Sequence, residues 1–148
     1  MSFFERVRLF FASEPKAEQQ EEPLLYRVVL LLEVAMFDDE FDNREKALII
    51  RLLETKYGLN RTEIEELLGL AEEKRAQSHD IFAHTSRIND WLSLEDRADL
   101  MKEIWQVIFA DDKLTPQEDH LARRLRTLLR LDHQHWAQAK QDAREGSD

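Results

Sequence analysis

Two short acidic stretches of similar design are the residues in this sequence best suited to do chemistry. The first, FDDEFDNRE, spans residues 37–45, and the second, ADDKLTPQE, spans residues 110–118. We call them the first and the second acidic elbow, because each follows a hydrophobic run and precedes a new amphipathic pattern. Clustered carboxylates are the ligands that calcium and magnesium prefer. The two elbows therefore predict either a cation site or a pair of helix boundaries.

The candidate cation ligands occupy equivalent positions in the two elbows. They are Asp38, Asp39, Glu45, Asp111, Asp112 and Glu118. Both glutamates lie on the same helical face as apolar residues that follow them, so we expect their carboxylates to point toward the core. A carboxylate in that position needs a partner, either a cation or a helix-capping bond. The spacing does not match the twelve-residue loop of an EF-hand.

Helix capping accounts for most of the same pattern without a ligand. DNRE (42–45) and TPQE (115–118) both fit a capping box, in which the first side chain and a later glutamate exchange hydrogen bonds with backbone amides. Asp39 and Asp112 suit the left-handed conformation that often ends a helix. Asp38 and the equivalent Asp111 are left without a structural role, so both interpretations stay open.

The second elbow resembles the signature of the tellurite-resistance TerB family, in which Ala-Asp-Gly is followed by any one residue, an aliphatic residue, often Ser/Thr-Pro, and then Glu. The first elbow resembles a weaker copy, and the similarity extends over about residues 24–141. The resemblance implies a compact all-helical domain that binds metal through its acidic positions. The aspartate and glutamate of the family pattern correspond to Asp38, Glu45, Asp111 and Glu118. The sequence departs from the pattern at the glycine, which is replaced by Asp39 and Asp112.

Helices are the elements that would position these carboxylates. The chain has 148 residues with only three Gly and three Pro, a composition typical of helices joined by short turns. We expect an all-α, compact bundle of about seven helices, with residues 23–37 as its central buried helix. Asp38 and Asp111 are 73 positions apart, and this offset predicts an internal pseudo-twofold repeat. Each unit would consist of a helix, an acidic elbow and two further helices.

Changes of composition divide the chain into three regions. We expect an N-terminal amphipathic helix and an acidic flexible linker over 1–22, the helical domain over 23–143, and a frayed tail over 144–148. The apolar residues of the N-terminal helix form a candidate surface for a membrane or a protein partner. They are Phe3, Phe4, Val7, Phe10 and Phe11.

Several classes of protein are disfavoured by composition. The absence of cysteine excludes disulfides, thiolate metal sites and thiol nucleophiles. A formal net charge of −10 disfavours nucleic acid as a partner. No glycine-rich phosphate loop, serine nucleophile motif or metalloprotease motif is present, so we predict that the protein is not an enzyme.

The resemblance implies a non-catalytic binding or scaffold module of a bacterial stress response of the tellurite-resistance type, with calcium or magnesium at the elbows. We expect it in the cytoplasm or peripherally at the inner membrane. Two alternatives are a metal-free protein-interaction domain, in which the elbows only cap helices, and a peripheral membrane adaptor that uses residues 3–11. The sequence identifies neither the protein partner nor the oligomeric state.

Overall fold

The computed structural model describes residues 21–37, 43–77, 80–111 and 114–145. Within these ranges the chain forms seven α-helices and one short 3-10 helix, with no strand. The helices are α1 (Glu21–Ala35), α2 (Asn43–Thr55), α3 (Arg61–Gln77), α4 (Ile81–Trp91), α5 (Leu94–Ile108), η1 (Phe109–Asp111), α6 (Pro116–Leu128) and α7 (His133–Glu145). The predicted all-α fold is therefore confirmed.

Polar side chains fix the start of the later helices. At α3, the Asn60 amide donates to Glu63 at 2.8 Å and the Glu63 amide donates to the Asn60 side chain at 2.9 Å. At α5, the Ser93 hydroxyl accepts from the amide of Asp96. These bonds satisfy backbone amides that have no partner within the helix. The capping residues in the sequence therefore determine where these helices begin.

Residues with positive φ follow the ends of α2 and α6. Gly58 has a φ of 65°, and Arg130 has a φ of 55°. The two positions are 72 apart, within one residue of the 73-residue offset between the two elbows. Each left-handed residue turns the chain back, so that the next amide, of Leu59 or Leu131, donates to a carbonyl near the end of the helix. The two predicted units therefore share their helix-ending geometry.

The core is built around α1 and α5. In α1, Val28, Val29 and Leu30 have no exposed surface, because apolar residues cover almost the whole circumference of this helix. In α5, Leu100 and Trp105 are equally buried. Since α1 packs against α2, α3, α4 and α5, it is the central helix of the bundle, as predicted.

The packing partly follows the predicted repeat. Helix α1 packs most extensively against α3, and α5 packs most extensively against α7, as expected for two equivalent units. Helix α4 lies between the units in sequence and packs against α1 and α6. The relation of the units by a twofold axis stays a prediction.

No helix in the described part of the chain is long and apolar enough to cross a membrane. The N-terminal residues for which we predict a membrane or partner contact, Phe3, Phe4, Val7, Phe10 and Phe11, lie outside the described ranges.

Candidate functional site

The first elbow contributes one described carboxylate, that of Glu45. This residue is the third of α2, where a negative charge interacts favourably with the helix dipole. Its exposed fraction is only 6%. Ile49 and Leu53, one and two turns further along the same helix, are also buried. The expectation that Glu45 heads the inward face of its helix is therefore confirmed.

The second elbow has a described backbone on both sides of its turn. The chain leaves α5 through η1, which ends at Asp111, and enters α6 at Pro116. Thr115 and Glu118 form the predicted capping box: the Glu118 amide donates to the Thr115 hydroxyl at 3.1 Å, and the Thr115 amide donates to the Glu118 carboxylate at 3.0 Å. Glu118 is buried, with an exposed fraction of 8%. Capping is thus one established role of this carboxylate.

Packing places α2 against η1, the 3-10 helix in which the second elbow begins. Helix α2, whose first turn carries Glu45, packs against η1, which carries Asp111. Phe109 of η1 stacks on the buried ring of Trp105, with ring centroids 5.4 Å apart. The sequence repeat predicts equivalent elbows but not the contact of α2 with η1, which depends on how α2 packs against α5.

The remaining predicted ligands fall outside the detailed description. Asp38, Asp39 and Asp112 lie outside the described ranges, and Asp111 is described through its backbone alone. Within the described residues, no group of three or more His, Asp or Glu side chains is arranged to hold a metal ion. A site that used the elbows would therefore need the aspartates between the helices as well as the two glutamates.

The capping box allows a direct prediction about stability. We expect Thr115→Ala to lower the free energy of unfolding by about 0.5–2 kcal/mol, because the Glu118 amide loses its acceptor at the helix start. Urea unfolding followed by circular dichroism measures the change. Thr127→Ala, at an exposed position of the same helix, is the matched control and should have little effect or a slightly stabilising one. Equal losses in the two variants would argue against the cap.

A partly buried cluster of charged and polar side chains, which we call the Arg27 network, connects α1, α5 and the residues directly after α2. Its members are Arg27, Lys56, Tyr57, Asp99 and Glu103. Glu103 has an exposed fraction of 1% and accepts from three groups: Arg27 at 3.0 Å, Lys56 at 2.8 Å and the Tyr57 hydroxyl at 3.0 Å. Arg27 also donates to the carbonyl of Asp96 at 3.0 Å. The network thus joins α1, α5 and the segment that follows α2 through one carboxylate.

The protonation states within the network follow from burial and neighbouring charge. Burial alone would lower the pKa of Arg27, but the carboxylates of Glu103 and Asp99 outweigh it and the pKa is raised. Burial, reinforced by Glu103, raises the pKa of Tyr57 well above its ordinary value. Burial would raise the pKa of Asp99, but Lys56 and Arg27 lower it below the ordinary value. At neutral pH, Arg27 is therefore a cation, Asp99 an anion and Tyr57 a neutral phenol.

These protonation states suit structural support better than catalysis. A protonated Tyr57 held between Arg27 and Glu103 is neither a base nor a nucleophile. Sequence reasoning did not find the network, because its partners are far apart along the chain. One signal was present, since Arg27 interrupts the most apolar run of the sequence and a buried arginine requires a carboxylate partner.

A polar cleft of about 270 Å³ lies between α5 and α7. Asp99 and Lys102 line it from α5, and His135 lines it from α7. The His135 ring is already paired with Asp132 at 2.8 Å. The lining mixes both signs of charge, so it does not select one class of ligand. The cleft gives Asp99, and through it the Arg27 network, access to solvent.

The fold and the two elbows define a class of all-helical domain in which an acidic sequence precedes a helix whose third residue is a buried glutamate. The family model described as tellurite resistance protein TerB matches residues 25–141. The chain belongs to this family, which confirms the resemblance seen in the elbows. A search of curated proteins and a search of solved structures each found no match.

Proposed function

We propose that this chain is a non-catalytic TerB-type binding module of a bacterial stress response, and that it holds one divalent cation between its two acidic elbows. The observation that carries the proposal is the equivalent placement of Glu45 and Glu118, each buried and each third in its helix. The packing of α2 against η1 supports a shared site. Asp38 and Asp111, for which capping provides no role, would complete it.

The donor chemistry suits a hard cation. All six candidate residues offer carboxylate oxygens, which calcium and magnesium prefer to nitrogen or sulfur. On this proposal Glu118 is both a helix cap and a ligand, because one carboxylate can accept from a backbone amide and also coordinate a cation. The cation would supply positive charge to a group of acids that otherwise repel one another.

The proposed cation gives the module a means of responding to its surroundings. Joining the two elbows would fix the end of α5 relative to the start of α2, and so would stabilise one arrangement of that surface for a protein partner. On this proposal the protein works in the cytoplasm, with or without contact to the inner membrane.

Thermal unfolding of metal-stripped protein tests the proposal. We expect millimolar calcium or magnesium to raise the unfolding midpoint of the wild type, because an ion that binds only the folded state stabilises it by about 2.7 kcal/mol at a hundred times its Kd. The variant Asp111→Asn with Glu118→Gln should lose this shift. As the matched control, Glu66→Gln with Glu73→Gln removes two exposed carboxylates of α3 and should keep it.

A metal-free protein-interaction domain is the second candidate function. The complete capping box at Thr115 favours it, since this box shows that an elbow glutamate has a structural role without a ligand. In that case neither ion would shift the midpoint of any variant, and the elbows would act only at helix boundaries.

A further inference from the structure

An open apolar groove lies on the face of the domain formed by α1, α2 and α3. It has a volume of about 190 Å³. Its floor is formed by Leu32 from α1, Ile49 from α2 and Leu68 from α3, and its rim carries Lys46 and Glu72. The lining is therefore mainly aliphatic, with one positive and one negative group at the rim. Such a groove suits an apolar segment that carries charges of both signs.

Gly69 lines this groove, and no contact in the described part of the chain explains why this position is a glycine. It lies in the interior of α3, where glycine is unfavourable compared with alanine. A Cβ atom added at this position would meet no atom within 4 Å. No neighbouring helix therefore requires the glycine. A glycine that the fold does not need is expected where another segment approaches the helix closely.

We propose that residues 3–11 of the same chain dock in this groove and place phenylalanine side chains against Leu68 and Gly69, the part of its apolar lining that is open to solvent. The segment FFERVRLFF supplies four phenylalanines, together with one acidic and two basic residues. Glu5 can pair with Lys46, and Arg6 or Arg8 can pair with Glu72. The docked segment covers the open side of α3 at Gly69. This contact is independent of the proposed cation.

The length of the intervening chain permits this contact. From Glu21 to Leu32 the axis of α1 rises by about 17 Å. Residues 12–20, when extended, span up to about 30 Å. The segment can therefore reach the groove from the start of α1 without strain in the linker.

Paramagnetic relaxation in the full-length protein tests the docking. The chain has no cysteine, so Ala12→Cys accepts a single nitroxide beside the segment. We expect strong broadening of amide signals around Lys46, Leu68 and Gly69, and little at Arg124 on the exposed face of α6. Broadening that is not concentrated at the groove would overturn the proposal.

Two mixing experiments distinguish docking within one chain from occupation of the groove by a second copy and from binding of the segment to lipid. When a spin-labelled, unenriched chain is mixed with an unlabelled, nitrogen-15-enriched chain, docking within one chain predicts no broadening at the groove. Broadening there would show that a second copy is the occupant and would contradict the proposal. Addition of anionic phosphatidylglycerol vesicles should leave the broadening within the chain unchanged. Its loss, with sedimentation of the protein on the vesicles, would assign the segment to lipid.

A pair of substitutions gives an independent test through stability. With the groove open, Gly69→Ala should raise the unfolding midpoint, because alanine favours the helix. With the segment docked, the added methyl group meets it. In the otherwise wild-type protein, Gly69→Ala should therefore lower the midpoint or leave it unchanged. Replacing Phe10 and Phe11 with serine should restore the rise. Ser86→Ala, at an exposed position of α4, should shift both backgrounds equally. An equal rise for Gly69→Ala in both backgrounds would overturn the proposal.

Discussion

Replacing Glu103 with leucine is expected to lower the free energy of unfolding by about 3–5 kcal/mol, the cost of leaving a buried charge without its partner. Glu103 is 1% exposed and accepts from Arg27, Lys56 and Tyr57. Its loss leaves the buried guanidinium of Arg27 with one carboxylate partner, Asp99, at the longer distance of 3.4 Å, beside the neutral Tyr57 hydroxyl and the Asp96 carbonyl. The Tyr57 hydroxyl also loses its acceptor. Urea unfolding monitored by circular dichroism measures the change.

A double variant separates the cost of an unpaired charge from the cost of lost packing. Arg27→Met combined with Glu103→Leu removes both charges and keeps much of the apolar volume. We expect it to be more stable than either single variant, because replacing a complete buried ion pair with apolar side chains is often nearly neutral. Additive losses in the double variant would mean that Arg27 and Glu103 do not act as a pair.

Replacing Trp105 with alanine is expected to lower the free energy of unfolding by about 3–5 kcal/mol, the usual cost of removing a large aromatic side chain from a core. Trp105 is fully buried and contacts the rings of Phe109 and Trp136. The ammonium group of Lys140 lies 4.9 Å from its ring centroid and adds a cation–π interaction. Chemical denaturation in urea measures the loss.

Trp105 also connects stability to the candidate site, because Phe109 is the first residue of η1. Loss of the stacking partner should loosen η1, and we expect any calcium-induced rise in the midpoint to shrink in Trp105→Ala. Trp105→Phe is the matched control. It keeps an aromatic ring and removes an indole N–H that has no hydrogen-bond partner in the described region, so it should lose much less stability. Equal losses in the alanine and phenylalanine variants would contradict the assigned role of the ring.

Much of the fold could be predicted because its determinants are local. Thr115, Pro116 and Glu118 occur in the order of a capping box, and Gly58 occurs where a left-handed residue ends α2. The apolar composition of residues 23–37 likewise identified the central helix. Such signals lie within a few residues of the structure they specify, so a single sequence is sufficient to read them.

Features that depend on packing between distant helices could not be predicted in the same way. The Arg27 network joins residues up to 76 positions apart, and no local pattern indicates which carboxylate reaches Arg27. The contact between α2 and η1 likewise depends on the way in which α2 crosses α5. For the candidate site, the inward orientation of Glu45 and Glu118 followed from helical periodicity. Their use as cation ligands stays a prediction.

Calorimetric titration of metal-stripped protein with calcium, and separately with magnesium, tests the shared cation site most directly. We predict saturable binding of one ion per chain by the wild type. Because both elbows contribute ligands, Glu45→Gln and Glu118→Gln should each abolish or strongly weaken it, and Glu66→Gln should not. Absence of saturable binding for both ions, or binding that neither elbow variant changes, would contradict the proposed function.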